Sequence, residues 1–387
     1  MPRIETAPSA QDRQVDLLAC AALRDRRPTW SLRDDAETIQ AFAQRVVDHG
    51  VQVLLHTKAA NLDWPARALE LLRQQALGRA AWEARHREHV RRALAALASQ
   101  GIPVVIFKGT ALAYTSYAQP YLRPRADTDL MIPTSRRADA AAALGSVGMR
   151  QDGSVESEFV SYEASFRCAE PSGSHTFDLH WRIHYSQMQA HLLPFEELRA
   201  AAQPMACFGG LGLSPHRAHS VLITCIHRAN DLHFPLWHGD AVHFGTDRLI
   251  WLHDLHLLLE QMPGEEAAEL ARVAMEKGLA AVCADALLLT AEAFGTRLPA
   301  AIASLIGAHA APDPLRAYHD ASTLKQKWTD VRALPGWRER ARFTFDHLLP
   351  PASYMRGRYR DDPAPLQVLH VRRVIDALRR RSSGATP

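Results

Sequence analysis

Two aspartates one residue apart, Asp127 and Asp129 in PRADTDLMIP, stand at the head of a short apolar run. In a strand they share one face, with Cα atoms roughly 6 to 7 Å apart, twice the per-residue rise. Side by side they repel, which raises the pKa of one of them unless a cation intervenes. Hard oxygen donors in a small cluster favour Mg2+ or Mn2+. A third acid, Asp178 in TFDLHWRI, is displayed on the non-core side of its own strand. On a neighbouring strand it would let three carboxylates hold two ions about 3.5 to 4 Å apart, the arrangement that serves in-line phosphoryl displacement. Upstream, Lys108, Gly109 and Thr110 place a cation, a small residue and a hydroxyl where a helix begins. Free backbone amides there attract phosphate, so the turn is a candidate triphosphate cradle.

The elements that must position these residues are legible as patterns. In EHVRRALAALASQG, Val90, Ala93, Leu94 and Leu97 recur at helical spacing and Gly101 follows as a C-terminal cap. IPVVIF is a buried-strand run, followed at once by KGTALAYTSYA, which opens a helix. DTDLMI alternates, with Thr128, Leu130 and Ile132 on one face and Asp127, Asp129 and Met131 on the other. RRADAAAALGSVG reads as a returning helix. FVSYEASFRC and TFDLHWRI are two more alternating strands, the second with Phe177, Leu179 and Trp181 opposed to Asp178, His180 and Arg182. From Ser214, expected as a helix cap ahead of Pro215, helices return, including DRLIWLHDLHLLLEQ and two or three more over residues 265 to 310. RRRSSGATP is expected to be a frayed tail.

The stretch GIPVVIFKGTALAYTSYAQPYLRPRADTDLMIP resembles the core of the bacterial "nucleotidyltransferase family protein" group of the DNA polymerase β-like nucleotidyltransferase superfamily. The shared pattern is an apolar strand, Lys-Gly, a short helix ending near Tyr, an Arg and Asp-x-Asp-Leu. The likeness continues through FDLHWRI and more loosely to about residue 260. It implies a metal-dependent enzyme that moves a nucleoside monophosphate from an NTP to a hydroxyl or phosphate and releases pyrophosphate. Asp127, Asp129 and Asp178 would be the metal ligands and catalytic carboxylates, with Asp178 also helping to deprotonate the acceptor. Lys108, Gly109, Thr110 and Arg123 would bind the nucleotide; Arg125 has no counterpart and is expected to be a surface charge. The cofactor would be Mg2+ or Mn2+ with NTP as co-substrate, and the acceptor a small molecule, a protein or a tRNA. Two other readings keep the fold: a toxin-like transferase that modifies tRNA or protein, and a non-catalytic nucleotide-binding module.

The expected architecture is α+β, a small mixed β-sheet nucleotidyltransferase core over residues 101–212, flanked by an N-terminal helical region (1–100) and a C-terminal helical domain (213–387). With 387 residues, 47% hydrophobic and 22% charged, the composition is that of an ordinary globular protein. A net charge of +3 does not announce nucleic acid as a partner. Five scattered cysteines without C-x-x-C argue against disulfides and fit a reducing cytoplasm, and neither a signal peptide nor a membrane span is legible. Among 20 histidines, His227, His233, His238 and His243 cluster, but their spacing fits no compact zinc template. His227, Arg228, Asp231, Arg248 and Asp254 could face the cleft. PASYMRGRYR is expected to be a loop that docks helices rather than an RNA contact.

Overall fold

The computed structural model describes residues 8–152, 159, 162–170, 173–238, 241–244, 246–309, 313–359 and 362–382. Its centre is a seven-stranded mixed sheet. In chain order the strands are β1 (Val105–Phe107), β2 (Asp127–Met131), β3 (Arg150–Gln151), β4 (Glu163–Glu170), β5 (Gly173–His180), β6 (Gln203–Pro204) and β7 (Leu213–Ser214). They lie side by side as β3-β4-β5-β2-β1-β7-β6. β2 runs antiparallel to β1 and parallel to β5, and β5 runs antiparallel to β4. A separate hairpin joins β8 (Pro235–His238) to β9 (Ala241–Phe244). The α+β expectation is met, with helices on both faces of the sheet.

The period of two sorts each strand into two faces, and each face buries a different core. Ile106, Leu130, Phe166, Phe177 and Leu179 pack against Val90, Ala93, Leu94 and Leu97 of the helix Ala66–Ser99 and against Ala140 and Leu144 of the helix Arg137–Ser146. On the other face Val105, Phe107 and Met131 meet the helices Arg217–His233 and Leu249–Glu260. A third cluster gathers Phe42, Leu55, Trp64 and Leu72 of the first hundred residues around Leu249 to Leu252. The long helix stops where its sequence says it must. Gly101 has φ +60, and the Ile102 amide donates back to the Leu97 carbonyl at 3.0 Å, a turn a side chain at residue 101 would oppose.

Several boundaries differ from the sequence expectation. The strand in FVSYEASFRC is Glu163–Glu170, starting after Tyr162; Val160 lies outside the described residues. Ser214 belongs to β7, and the next helix begins at Arg217 with no side-chain cap. Residues 352 to 358 form a helix rather than a loop, and Arg360 lies outside the described residues. The last helix continues to Ser382, through three of the arginines expected to fray. No helix of the described residues is long and apolar enough to cross a membrane.

Candidate active site

The turn after β1 is strained. Lys108 has φ +51, a left-handed conformation that costs a non-glycine residue about 1–2 kcal/mol. From it starts the helix Lys108–Thr115, and its ammonium donates to Asp129 Oδ1 at 2.6 Å. The sequence reading expected an ion between the two aspartates; in the structure a lysine of the same chain occupies that role at Asp129.

The carboxylates share the face that looks toward the C-terminal helices. Asp127 and Asp129 alternate with the buried Thr128 on β2. In the parallel register Asp129 lies directly opposite Asp178, and Asp127 opposite Thr176. Neighbouring strands are about 4.8 Å apart, so Asp178 falls on the same face within reach of the other two. β4 adds two polar side chains that the sequence analysis did not single out. Ser165, opposite Asp178, donates to its Oδ1, and Glu163 lies opposite His180. His180 Nε2 is 2.9 Å from Asp129 Oδ1, and its Nδ1 is 3.2 Å from Glu163 Oε2 without hydrogen-bond alignment. Alternation in FVSYEASFRC already put Glu163 and Ser165 opposite Phe166, a signal that could have found them.

Four carboxylates thus confront one ammonium and one imidazole. Burial pushes the Asp127 carboxyl up, to about 6, aided by Asp129 and Asp178 and opposed by Lys108. Asp129 is buried too, yet Lys108 and His180 overcome the desolvation and hold it well below the usual carboxylate range. Desolvation raises Asp178 against the pull of Ser165. Lys108 is held above its ordinary value: burial alone would lower it, but Asp129 more than compensates. Among the described residues no hydrogen-bond donor reaches the Asp127 carboxylate. A half-buried acid without a donor, beside two others, fits a hard divalent cation.

The helices over this face bring in charges of their own. His227 packs edge-on to Trp251 with ring centroids 5.2 Å apart, and burial, with Lys108 nearby, pushes it down to about 3. Burial raises Asp231, with Arg248 and Lys108 opposing. Arg248 itself donates to the Asp48 carbonyl at 2.8 Å and lies over the Trp251 ring. Arg228, expected on the same face, instead bonds Asp247 and Asp285. His233 stacks on His319, and the side chains of His238 and His243 lie outside the described residues.

Arg123 is buried behind the turn at Lys108. Its Nη2 donates to Asp254 Oδ2 at 2.7 Å, and Tyr117 donates to Asp254 Oδ1 at 2.7 Å. A Cβ at Gly109 would stand 3.1 Å from Arg123 Nη1, so the glycine lets the helix start sit against this arginine. The structure does not bring the Thr110 hydroxyl to the carboxylates. Fully buried, it is 2.8 Å from Thr128 Oγ1, on the opposite face of β2, and accepts from Arg125 Nε at 2.8 Å. Arg125 is therefore no surface charge: it is 6% exposed and paired with Glu83, 42 residues upstream, Nη1 to Oε2 at 2.8 Å. The expectation failed because the partner lies on the long helix, out of sight of any local pattern.

No match was found among curated proteins or among solved structures. The model of the family described as Uncharacterised nucleotidyltransferase matches residues 35–295, which takes in the turn at Lys108, the three carboxylates and the covering helices. The chain belongs to that nucleotidyltransferase family.

Proposed function

We propose that the protein is a metal-dependent nucleotidyltransferase: it takes an NTP and an acceptor hydroxyl or phosphate and releases pyrophosphate. The observation that carries the reading is the register that sets Asp129 against Asp178 with Asp127 on the same face, beside the strained turn at Lys108. Asp127, Asp129 and Asp178 would hold Mg2+ or Mn2+. Bound there, the ions would acidify the acceptor and neutralise charge on the triphosphate.

The chain's own groups do the rest. The amides of the first helical turn, at Gly109 and Thr110, have no partner within the helix and suit a phosphate oxygen. Thr110 would contribute through this amide, its hydroxyl being engaged elsewhere. Lys108 would exchange Asp129 for the triphosphate, releasing a ligand oxygen as the substrate arrives. Arg123, held by Asp254, would act on the phosphates through the position of the helix start and through its charge. The Asp178 carboxyl, raised by burial, is suited to take the acceptor proton as the acceptor oxygen bonds to the α-phosphorus and the bond to the β-phosphate bridging oxygen breaks.

The test is incubation with the four α-labelled NTPs, Mg2+ and a cell lysate. Label should pass to one class of acceptor, RNA, a protein band or a metabolite, and not with Asp127→Asn. No transfer of label with any NTP, or equal transfer by Asp127→Asn, would overturn the proposal.

A further inference from the structure

The helix Ala66–Ser99 carries His86 and His89 three residues apart, and both are buried on the sheet face away from the carboxylates. There they meet the far end of the β4–β5 hairpin. His175 shares the face of Phe177 and Leu179, and Glu170 that of Phe166. One ligand atom each from His89, Glu170 and His175 lies within 4.8 Å of the others, and His89 Nε2 is 2.8 Å from Glu170 Oε1. We propose that these three side chains bind a zinc ion that clasps the long helix to the hairpin.

The donor set suits zinc. Two imidazoles and a carboxylate are its ordinary ligands, at about 2.0 to 2.2 Å, which sets neighbouring donors of a tetrahedron about 3.4 Å apart. Closing the cluster to that size takes shifts of about an ångström, and the fourth position is left for water. Mg2+ would take oxygens instead. His89 is 4% exposed, and its Nδ1 is buried without a hydrogen-bond partner. Glu170, with 30% of its side chain exposed, gives an ion a way in.

The surroundings supply His175 with what a zinc histidine needs, a fixed second nitrogen. His175 Nδ1 is 3.1 Å from His86 Nδ1, His86 Nε2 is 2.6 Å from Thr128 Oγ1, and Thr128 Oγ1 is 2.8 Å from Thr110 Oγ1. Thr110 in turn donates to the Asp127 carbonyl at 3.3 Å. With every proton pointing from His175 toward Asp127, each group in this chain is satisfied. His175 is then the neutral tautomer protonated at Nδ1, with Nε2 free for a metal. Trp82 covers the cluster, stacked on His86 with centroids 4.2 Å apart.

The ion would hold β5 from behind, on the strand whose other face presents Asp178. The proposal rests on this cluster alone and not on the transfer reaction. Its test therefore reads metal and stability: the full-length protein is stripped with chelator and titrated with Zn2+ or Mg2+. We expect one Zn2+ per chain, an unfolding midpoint about 3 °C or more higher at 100-fold excess over the dissociation constant, and no such rise at the same concentration of Mg2+. Co2+ in the site should give the visible absorption of a tetrahedral ion. His89→Ala with His175→Ala should lose the site. Should that pair not fold, Glu170→Gln, which keeps the shape of a half-exposed side chain, should bind zinc at least about tenfold more weakly. No stoichiometric zinc, or zinc bound equally well by Glu170→Gln, would overturn the proposal.

Discussion

Lys108→Met separates the two tasks assigned to the lysine. Methionine follows the lysine stem as far as Cε and carries the same strain at φ +51, so the substitution removes little but the ammonium. The ammonium is 2.6 Å from Asp129 Oδ1, and the two side chains are 22% and 5% exposed. At an effective dielectric of about 20 the gross attraction is roughly 6 kcal/mol. Desolvation cancels much of it, and breaking such a pair generally costs about 3–5 kcal/mol. Part of that sum now opposes any metal ion that needs the same oxygen. Without nucleotide, Lys108→Met should therefore bind Mn2+ at least about tenfold more tightly, about 1.4 kcal/mol. With Mn2+ saturating, its affinity for a non-hydrolysable NTP should fall at least about tenfold, because the ammonium meant for the phosphates is gone. Isothermal titration measures both. Mn2+ binding that is unchanged or weaker in Lys108→Met would refute the idea that lysine and metal compete for Asp129.

A carboxyl whose pKa rises on folding holds its proton better in the folded state. Asp127, raised from 3.8 to about 6, therefore costs nothing below about pH 3.8, and its penalty grows up to about pH 6, levelling at about 3 kcal/mol. Without divalent ions, Asp127→Asn should be the more stable protein in urea at pH 7.5, and the advantage should vanish by about pH 4. For the same reason the wild-type affinity for Mn2+ should drop about tenfold for each pH unit below 6. Asp254→Ala strands the buried Arg123 guanidinium and Tyr117, so urea unfolding should show a loss of about 3–5 kcal/mol; a loss under 1 kcal/mol would contradict the buried pair.

The features legible in the sequence were those with a local period. Alternation in DTDLMI and TFDLHWRI assigned the faces of β2 and β5, and Gly101 ended the long helix. The strand order was not legible, since β2 pairs with β5 across an intervening helix and two other strands. That pairing brings Asp178 to Asp129, and only the resemblance anticipated it. Ion pairs over long separations were equally hidden: Arg123 finds Asp254 131 residues away, and Arg125 finds Glu83. His86 and His89 did carry a signal, two histidines on one turn of a helix, but the partners Glu170 and His175 come from a hairpin more than 80 residues on.

Whether Asp127, Asp129 and Asp178 grip divalent ions for a nucleotide is tested most directly by titrating an NTP, with and without Mg2+, into the wild type and into Asp127→Ala with Asp129→Ala. Binding that requires Mg2+ in the wild type and disappears in the double variant is the predicted result. Binding that ignores Mg2+ and survives both substitutions unchanged would contradict it and leave a nucleotide-binding module in place of a transferase.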